Sequence, residues 1–85
     1  MTIVKRKGGG RPRRSAGGID LESIGRRVRD LRGQTTQEEF ARVLGISQAQ
    51  LSKYELGHSA LPLGILIKLV KQSDRSANWI LTGAN

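Results

Sequence analysis

The chain has 85 residues, no cysteine and a single histidine. Without thiols it can form neither disulfides nor thiolate metal sites, and one histidine is too few for a histidine-based zinc cage. Aromatic residues are scarce, and exposed aromatic side chains are what stack on single-stranded bases, so sequence-independent RNA binding is disfavoured. We expect no metal ion and no cofactor, and no small-molecule ligand is evident.

Long apolar runs are also missing. The longest, residues 61–67, is interrupted by Pro62 and Gly64, and it is far shorter than the ~20 residues that a membrane-spanning helix needs. The basic residues near the N-terminus are not followed by the apolar segment of a secretion signal. We therefore expect a cytoplasmic protein that has no membrane partner.

Catalytic groups are equally sparse. His58 lies beside Ser59, but no acidic residue is placed to orient the imidazole, and a neighbouring serine and histidine alone do not make a catalytic triad. The sequence therefore does not indicate an enzyme.

Acidic residues number 7 against 15 basic ones, which leaves a formal net charge of +8. Residues 1–18 contain no acid, many glycines and few apolar groups, so they cannot offset the entropy lost on ordering. We predict a disordered basic arm over residues 1–18 and an ordered domain over residues 19–85. Such an arm favours a polyanionic partner, and a solvated tail without a role is the alternative. Its basic residues are Lys5, Arg6, Lys7, Arg11, Arg13 and Arg14.

Apolar residues in the ordered part recur with the spacing of helices, and no segment alternates as an extended strand would. Good N-cap residues or a proline precede each apolar stretch, and glycines follow four of the five stretches. The pattern predicts an all-α domain of five helices with short connections. The predicted starts are at Asp20, Thr36, Ser47, Pro62 and Ser76, and the predicted stops at Gly33, Gly45, Gly57 and Gly83.

Two capping boxes lie eleven residues apart, Thr36 with Glu39 and Ser47 with Gln50. In each box the hydroxyl can accept the amide proton of the third helical residue. Gly45 lies between them, where a left-handed residue can end one helix and turn the chain. Two short helices joined in this way form a helix-turn-helix, whose second helix can enter a DNA major groove.

Five motifs occur in the order and spacing of a known family. Residues 24–83 resemble the Cro/lambda-repressor (Xre) family of helix-turn-helix domains. The resemblance implies a five-helix fold, binding to double-stranded operator DNA with an inverted repeat, usually as a homodimer, and transcriptional control. A repressor is the expected form, and an antitoxin that regulates its own operon is the alternative. The matching motifs are residues 24–32, 36–41, 44–47, 51–57 and 78–83.

The resemblance also implies roles for individual residues. In this family a glutamine at the position of Gln37 contacts a DNA phosphate. A glutamine amide can pair with adenine and a lysine with guanine, while an alanine can meet a thymine methyl group. Ser47 and Ser52 could donate to phosphates, although capping is the main role expected of Ser47. The candidate base readers are Gln48, Ala49, Gln50 and Lys53, with Gln48 ranked above Gln50 because Gln50 also belongs to a capping box.

Two further expectations concern charge. Members of the family pair the glutamate at the position of Glu55 with an arginine of the first helix, and Arg32 is the first choice here, before Arg29.

In the arm, residues 10–13 read Gly-Arg-Pro-Arg, which resembles the core of AT-hook peptides that lie in the minor groove. Narrow minor grooves attract arginine, and simple attraction to phosphates is the alternative. The arm residues expected at DNA are Arg11, Arg13 and Arg14.

Overall fold

The computed structural model of the chain describes residues 15–16 and 19–84, and it confirms the all-α fold class. Two very short strands, β1 (Ser15–Ala16) and β2 (Ile19–Asp20), pair antiparallel just before the first helix. The sequence did not predict them, because two residues are too few to show alternation. The five helices are α1 (Leu21–Arg32), α2 (Gln37–Leu44), α3 (Gln48–Glu55), α4 (Leu63–Gln72) and α5 (Ala77–Thr82).

The predicted N-caps account for where four of the helices begin. Asp20, Thr36, Ser47 and Ser76 each accept a hydrogen bond from the backbone N–H three residues further on, which satisfies one of the free donors of a first helical turn. Pro62 differs from the prediction. It occupies the N-cap position with an extended ψ of 151° instead of lying within the first turn, so α4 begins one residue later.

The helices share one apolar core, to which every one of them contributes. α1 contacts both α3 and α5, α2 contacts α3 and α4, and α4 contacts α5. α1 and α4 therefore both join the helix-turn-helix to α5, α1 through its contact with α3 and α4 through its contact with α2. The largest side chains that are fully buried are Val28, Leu44, Leu51, Leu69 and Ile80.

A glycine sets how closely α1 approaches α3. A Cβ atom at Gly25 would lie 2.6 Å from the carbonyl oxygen of Tyr54 and closer still to that of Glu55. These oxygens belong to the last turn of α3, so they cannot rotate away as a flexible side chain would. Gly25 thus allows a backbone contact that holds the C-terminal end of the helix-turn-helix against α1.

We expect Gly25→Ala to lower the free energy of unfolding by about 1–3 kcal/mol, because the methyl group overpacks this contact. Gly64→Ala in α4 is the matched control, since no atom lies within 4 Å of the added Cβ, and helix propensity favours alanine by up to ~1 kcal/mol. Urea unfolding followed by circular dichroism measures both. Equal effects of the two substitutions would contradict the close-contact interpretation.

Candidate nucleic-acid interface

The turn between α2 and α3 is built by local backbone chemistry. Gly45 adopts the left-handed conformation with a φ of 77°, and the amide of Ile46 donates to the carbonyl of Ala41 at 2.9 Å. α3 then begins after Ser47, whose hydroxyl accepts the amide of Gln50 at 3.0 Å. The paired capping interactions therefore set the direction in which α3 leaves α2.

One face of α3 is buried and the opposite face is open. Leu51 is fully buried and Tyr54 is 4% exposed, so these side chains anchor the helix in the core. Of the candidate base readers, Gln48, Ala49 and Lys53 are exposed, whereas Gln50 is partly buried. The open face therefore carries one amide, one small apolar group and one cation.

Glu55 places a carboxylate at the edge of the core, where it is 7% exposed. Arg32 holds it with two hydrogen bonds, from Nε to Oε2 at 2.7 Å and from Nη2 to Oε1 at 3.1 Å. This bonding to Glu55 raises the pKa of the Arg32 guanidinium. A buried carboxylate is costly unless it is paired with a positive charge and hydrogen-bonded. The bidentate contact with Arg32 meets both conditions.

The same guanidinium also organises the loop before α2. Arg32 Nη1 donates to the carbonyl oxygen of Thr35 at 2.8 Å. One side chain at the end of α1 therefore connects the loop that leads into α2 with the last residue of α3. Arg29, the second choice for pairing with Glu55, is exposed.

A chain of hydrogen bonds leads from Glu55 to the open face of α3. Gln37 Nε2 donates to Glu55 Oε1 at 2.9 Å, which turns its carbonyl oxygen toward α3. Gln48 Nε2 approaches that oxygen at 3.4 Å, a long contact. The first residue of α2 and the first residue of α3 are thus oriented together by one carboxylate.

Gln50 follows a different course. Its Nε2 donates to the hydroxyl of Tyr54 at 2.8 Å, so the side chain extends along α3 toward the C-terminal end of that helix. This contact adds a physical reason for ranking Gln48 first among the glutamines. The hydroxyl of Ser47 is used in capping, while Ser52 is partly exposed.

The groove in front of α3 has a volume of about 470 Å³ and lies between α1, α2 and α3. Sequence reasoning did not place Arg29 or Leu56 in it. Leu56 is 54% exposed although it is apolar. The residues around the groove are Arg29, Arg32, Gln37, Gln48, Ser52, Glu55 and Leu56.

Other expectations fall elsewhere. Arg11, Arg13 and Arg14 lie outside the described residues, so their contacts with DNA stay predictions, as do those of the helix residues. Within residues 19–84, no three histidine, aspartate or glutamate side chains come together as metal ligands would. None of the described helices is long and apolar enough to cross a membrane.

We expect Arg32→Met to lower the free energy of unfolding by about 3 kcal/mol, because it leaves the Glu55 carboxylate buried without its partner. The control is the double variant Arg32→Met/Glu55→Met, which removes the unpaired charge and should regain a large part of the loss. Urea unfolding measures both proteins. If the double variant were no more stable than the single one, the buried-pair account would be wrong.

Comparison with known proteins agrees with this geometry. A helix-turn-helix family model matches residues 26–80, whereas no curated protein matches the chain. The fold is similar to that of the P22 c2 repressor protein, whose crystal structure is of a complex with synthetic operator 9T in the presence of Tl⁺. The two are 24% identical, the TM-score is 0.66, and the alignment covers 72% of this chain and 96% of the repressor chain. The chain belongs to the helix-turn-helix family, in its Xre/lambda-repressor type.

Proposed function

We propose that this chain is a transcriptional repressor that binds an inverted-repeat operator with α3 in the major groove. Family membership makes it a DNA-binding regulator of transcription, and the open face of α3 supports the finer assignment. The observation that carries it is the exposed amide of Gln48, oriented at the start of α3 by Gln37 and beside the groove. An antitoxin that represses its own operon would use the same surface.

The open face has the chemistry of base recognition. A glutamine can bond to N6 and N7 of adenine, and a lysine can donate to O6 and N7 of guanine. Gln48 and Lys53 lie on the exposed side of α3 with Ala49 between them in sequence, and its methyl group suits contact with a thymine methyl. These three side chains are the proposed base readers, and Gln50 takes a secondary place because Tyr54 engages it.

Phosphate contacts would hold α3 in register. Gln37 has donated one N–H to Glu55, and its second amide proton is available for a phosphate oxygen. It also stands at the start of α2, where the backbone N–H groups favour an anion. Ser47 and Ser52 add hydroxyl groups close to the start of α3 and along it. These contacts position the helix and carry no base specificity.

We propose a homodimer, because an inverted repeat presents two half-sites about 34 Å apart on one face of the duplex. Leu63 and Ile67 lie one turn apart on α4 and are 70% and 47% exposed. Leu81 on α5 is 42% exposed as well. Apolar side chains exposed on the last two helices support a contact between two copies there.

The P22 c2 repressor supports the proposed mode of DNA binding, since its structure contains an operator. The proposal places the protein in the cytoplasm, on the nucleoid when DNA is bound.

We expect Gln48→Ala and Lys53→Ala each to reduce the preference for operator over random DNA by about tenfold or more, since each removes a base contact. The operator is found by selection from a random duplex pool, and gel-shift titration measures both affinities. Lys71→Ala is the matched control, because it removes an equal charge from an exposed position on α4. The recognition-face assignment fails if both variants discriminate as well as the unmodified protein while their folds are intact.

Deleting residues 1–14 should weaken DNA binding and flatten its dependence on salt, because each lost phosphate contact removes about 0.9 from the slope of log K against log salt. Deletion of residues 2–4, which are uncharged, is the control. The affinity of both deletion variants for DNA is measured at several salt concentrations, and the two slopes are compared. An unchanged slope after the larger deletion would show that the arm does not contact phosphates.

A further inference from the structure

A second concave surface lies on the other side of α1, between α1 and α5. It is an open cleft of about 630 Å³, within the range of ~300–1,000 Å³ typical of small-molecule sites. α5 contributes the indole of Trp79 and the helix-ending Gly83. We call this surface the arginine cleft, because α1 contributes Ser23, Arg26, Arg27 and Arg29 to it.

The cleft is strongly positive. Besides its three arginines, the guanidinium of Arg75 lies 4.3 Å from the centroid of the Trp79 ring. Asp30 is the one acidic residue in the lining. Three arginines against one carboxylate in the lining favour an anionic occupant.

Two of the arginines are held in place by the fold. Arg27 Nη1 donates to the carbonyl oxygen of Ile80 at 3.1 Å, and a Cβ atom at Gly83 would lie 2.9 Å from Arg27 Nη2. The glycine that ends α5 therefore makes room for the guanidinium. A side chain anchored between α1 and α5 is a fixed wall of the cleft.

Arg26 is oriented by a short relay. Its Nη2 donates to Ser23 Oγ at 2.9 Å, and Ser23 Oγ donates to Asp20 Oδ2 at 2.7 Å. The hydrogen bonds from Ser23 lower the pKa of Asp20, so the accepting carboxylate stays ionised well below neutral pH. Preorganised donors of this kind bind an anion with less loss of side-chain entropy.

We propose that the arginine cleft binds a nucleotide, with the guanidinium groups on its phosphate and the indole of Trp79 beside its base. Guanidinium groups match the geometry of phosphate oxygens, and the cleft is too large for a simple ion alone. A free nucleotide and the backbone of duplex DNA would both supply the phosphate for the arginines, and only the free nucleotide would also supply the base for Trp79. The sequence shows no such site, because the residues of the two walls are about fifty positions apart.

Arg29 links the arginine cleft to the proposed DNA surface. It lines this cleft and also the groove in front of α3. A free nucleotide that engages Arg29 would therefore change DNA affinity, while a DNA backbone that reaches Arg29 could continue into the cleft. DNA as the ligand of the arginine cleft rests on the proposed function, whereas a free nucleotide as the ligand does not.

The chain offers a direct probe, because Trp79 is its single tryptophan. Titration of the full-length protein with adenosine monophosphate should produce a saturable change in Trp79 fluorescence. Arg26→Gln and Arg29→Gln should weaken that binding about tenfold or more, since each removes a charge-assisted hydrogen bond. Arg42→Gln, at an exposed arginine of α2, should leave it unchanged, and circular dichroism checks that all variants fold.

Binding to random duplex DNA distinguishes the two sources. If the backbone is the ligand, adenosine monophosphate gives no saturable change, and both cleft variants lose affinity for operator and random DNA alike, with a smaller salt slope. If the ligand is free, the fluorescence response depends on Arg26 and Arg29. The proposal is overturned if neither measurement depends on these arginines. The assignment of Gln48 and Lys53 as base readers, which operator preference tests, would be unaffected by that result.

Discussion

The contact between Arg32 and Glu55 is the interaction on which the rest of this small domain depends. A carboxylate in the core must be paired and hydrogen-bonded to be tolerated, and two bonds from Arg32 meet that need. Because Arg32 ends α1 and Glu55 ends α3, the pair defines how these helices cross. The close backbone contact at Gly25 brings the same two helices together about two turns earlier along α1.

The buried carboxylate also connects the stability of the core with the proposed recognition face of α3. Glu55 accepts from Gln37, and the oxygen of Gln37 faces the amide of Gln48. An amide held at one end has fewer orientations to lose on binding, so its remaining groups can be used for recognition at lower entropic cost. The group that would read a base therefore takes its orientation from a charge in the core. Loss of the core pair would disturb the interface as well as the fold.

Local chemistry made much of this structure predictable. Asp20, Thr36, Ser47 and Ser76 begin helices because a short polar side chain can satisfy a first-turn amide in any tertiary context. The prediction for Pro62 was wrong by one position. Proline suits both the N-cap and the first helical turn, and its neighbours decide between the two places. The family resemblance indicated the outward face of α3. It could not show that Gln50 would turn back to Tyr54.

The sequence by itself determined the helices, their caps, the helix-turn-helix and the excess of positive charge, because each depends on residues a few positions apart. The family resemblance ranked Arg32 above Arg29 as the partner of Glu55. The tertiary structure decided between them, because it brought Arg32 to the carboxylate and left Arg29 exposed between two concave surfaces. It likewise brought Arg27 to the end of α5, 53 residues away, to build the arginine cleft. Contacts between distant segments depend on the packing of the whole core, and no local pattern of residues specifies them.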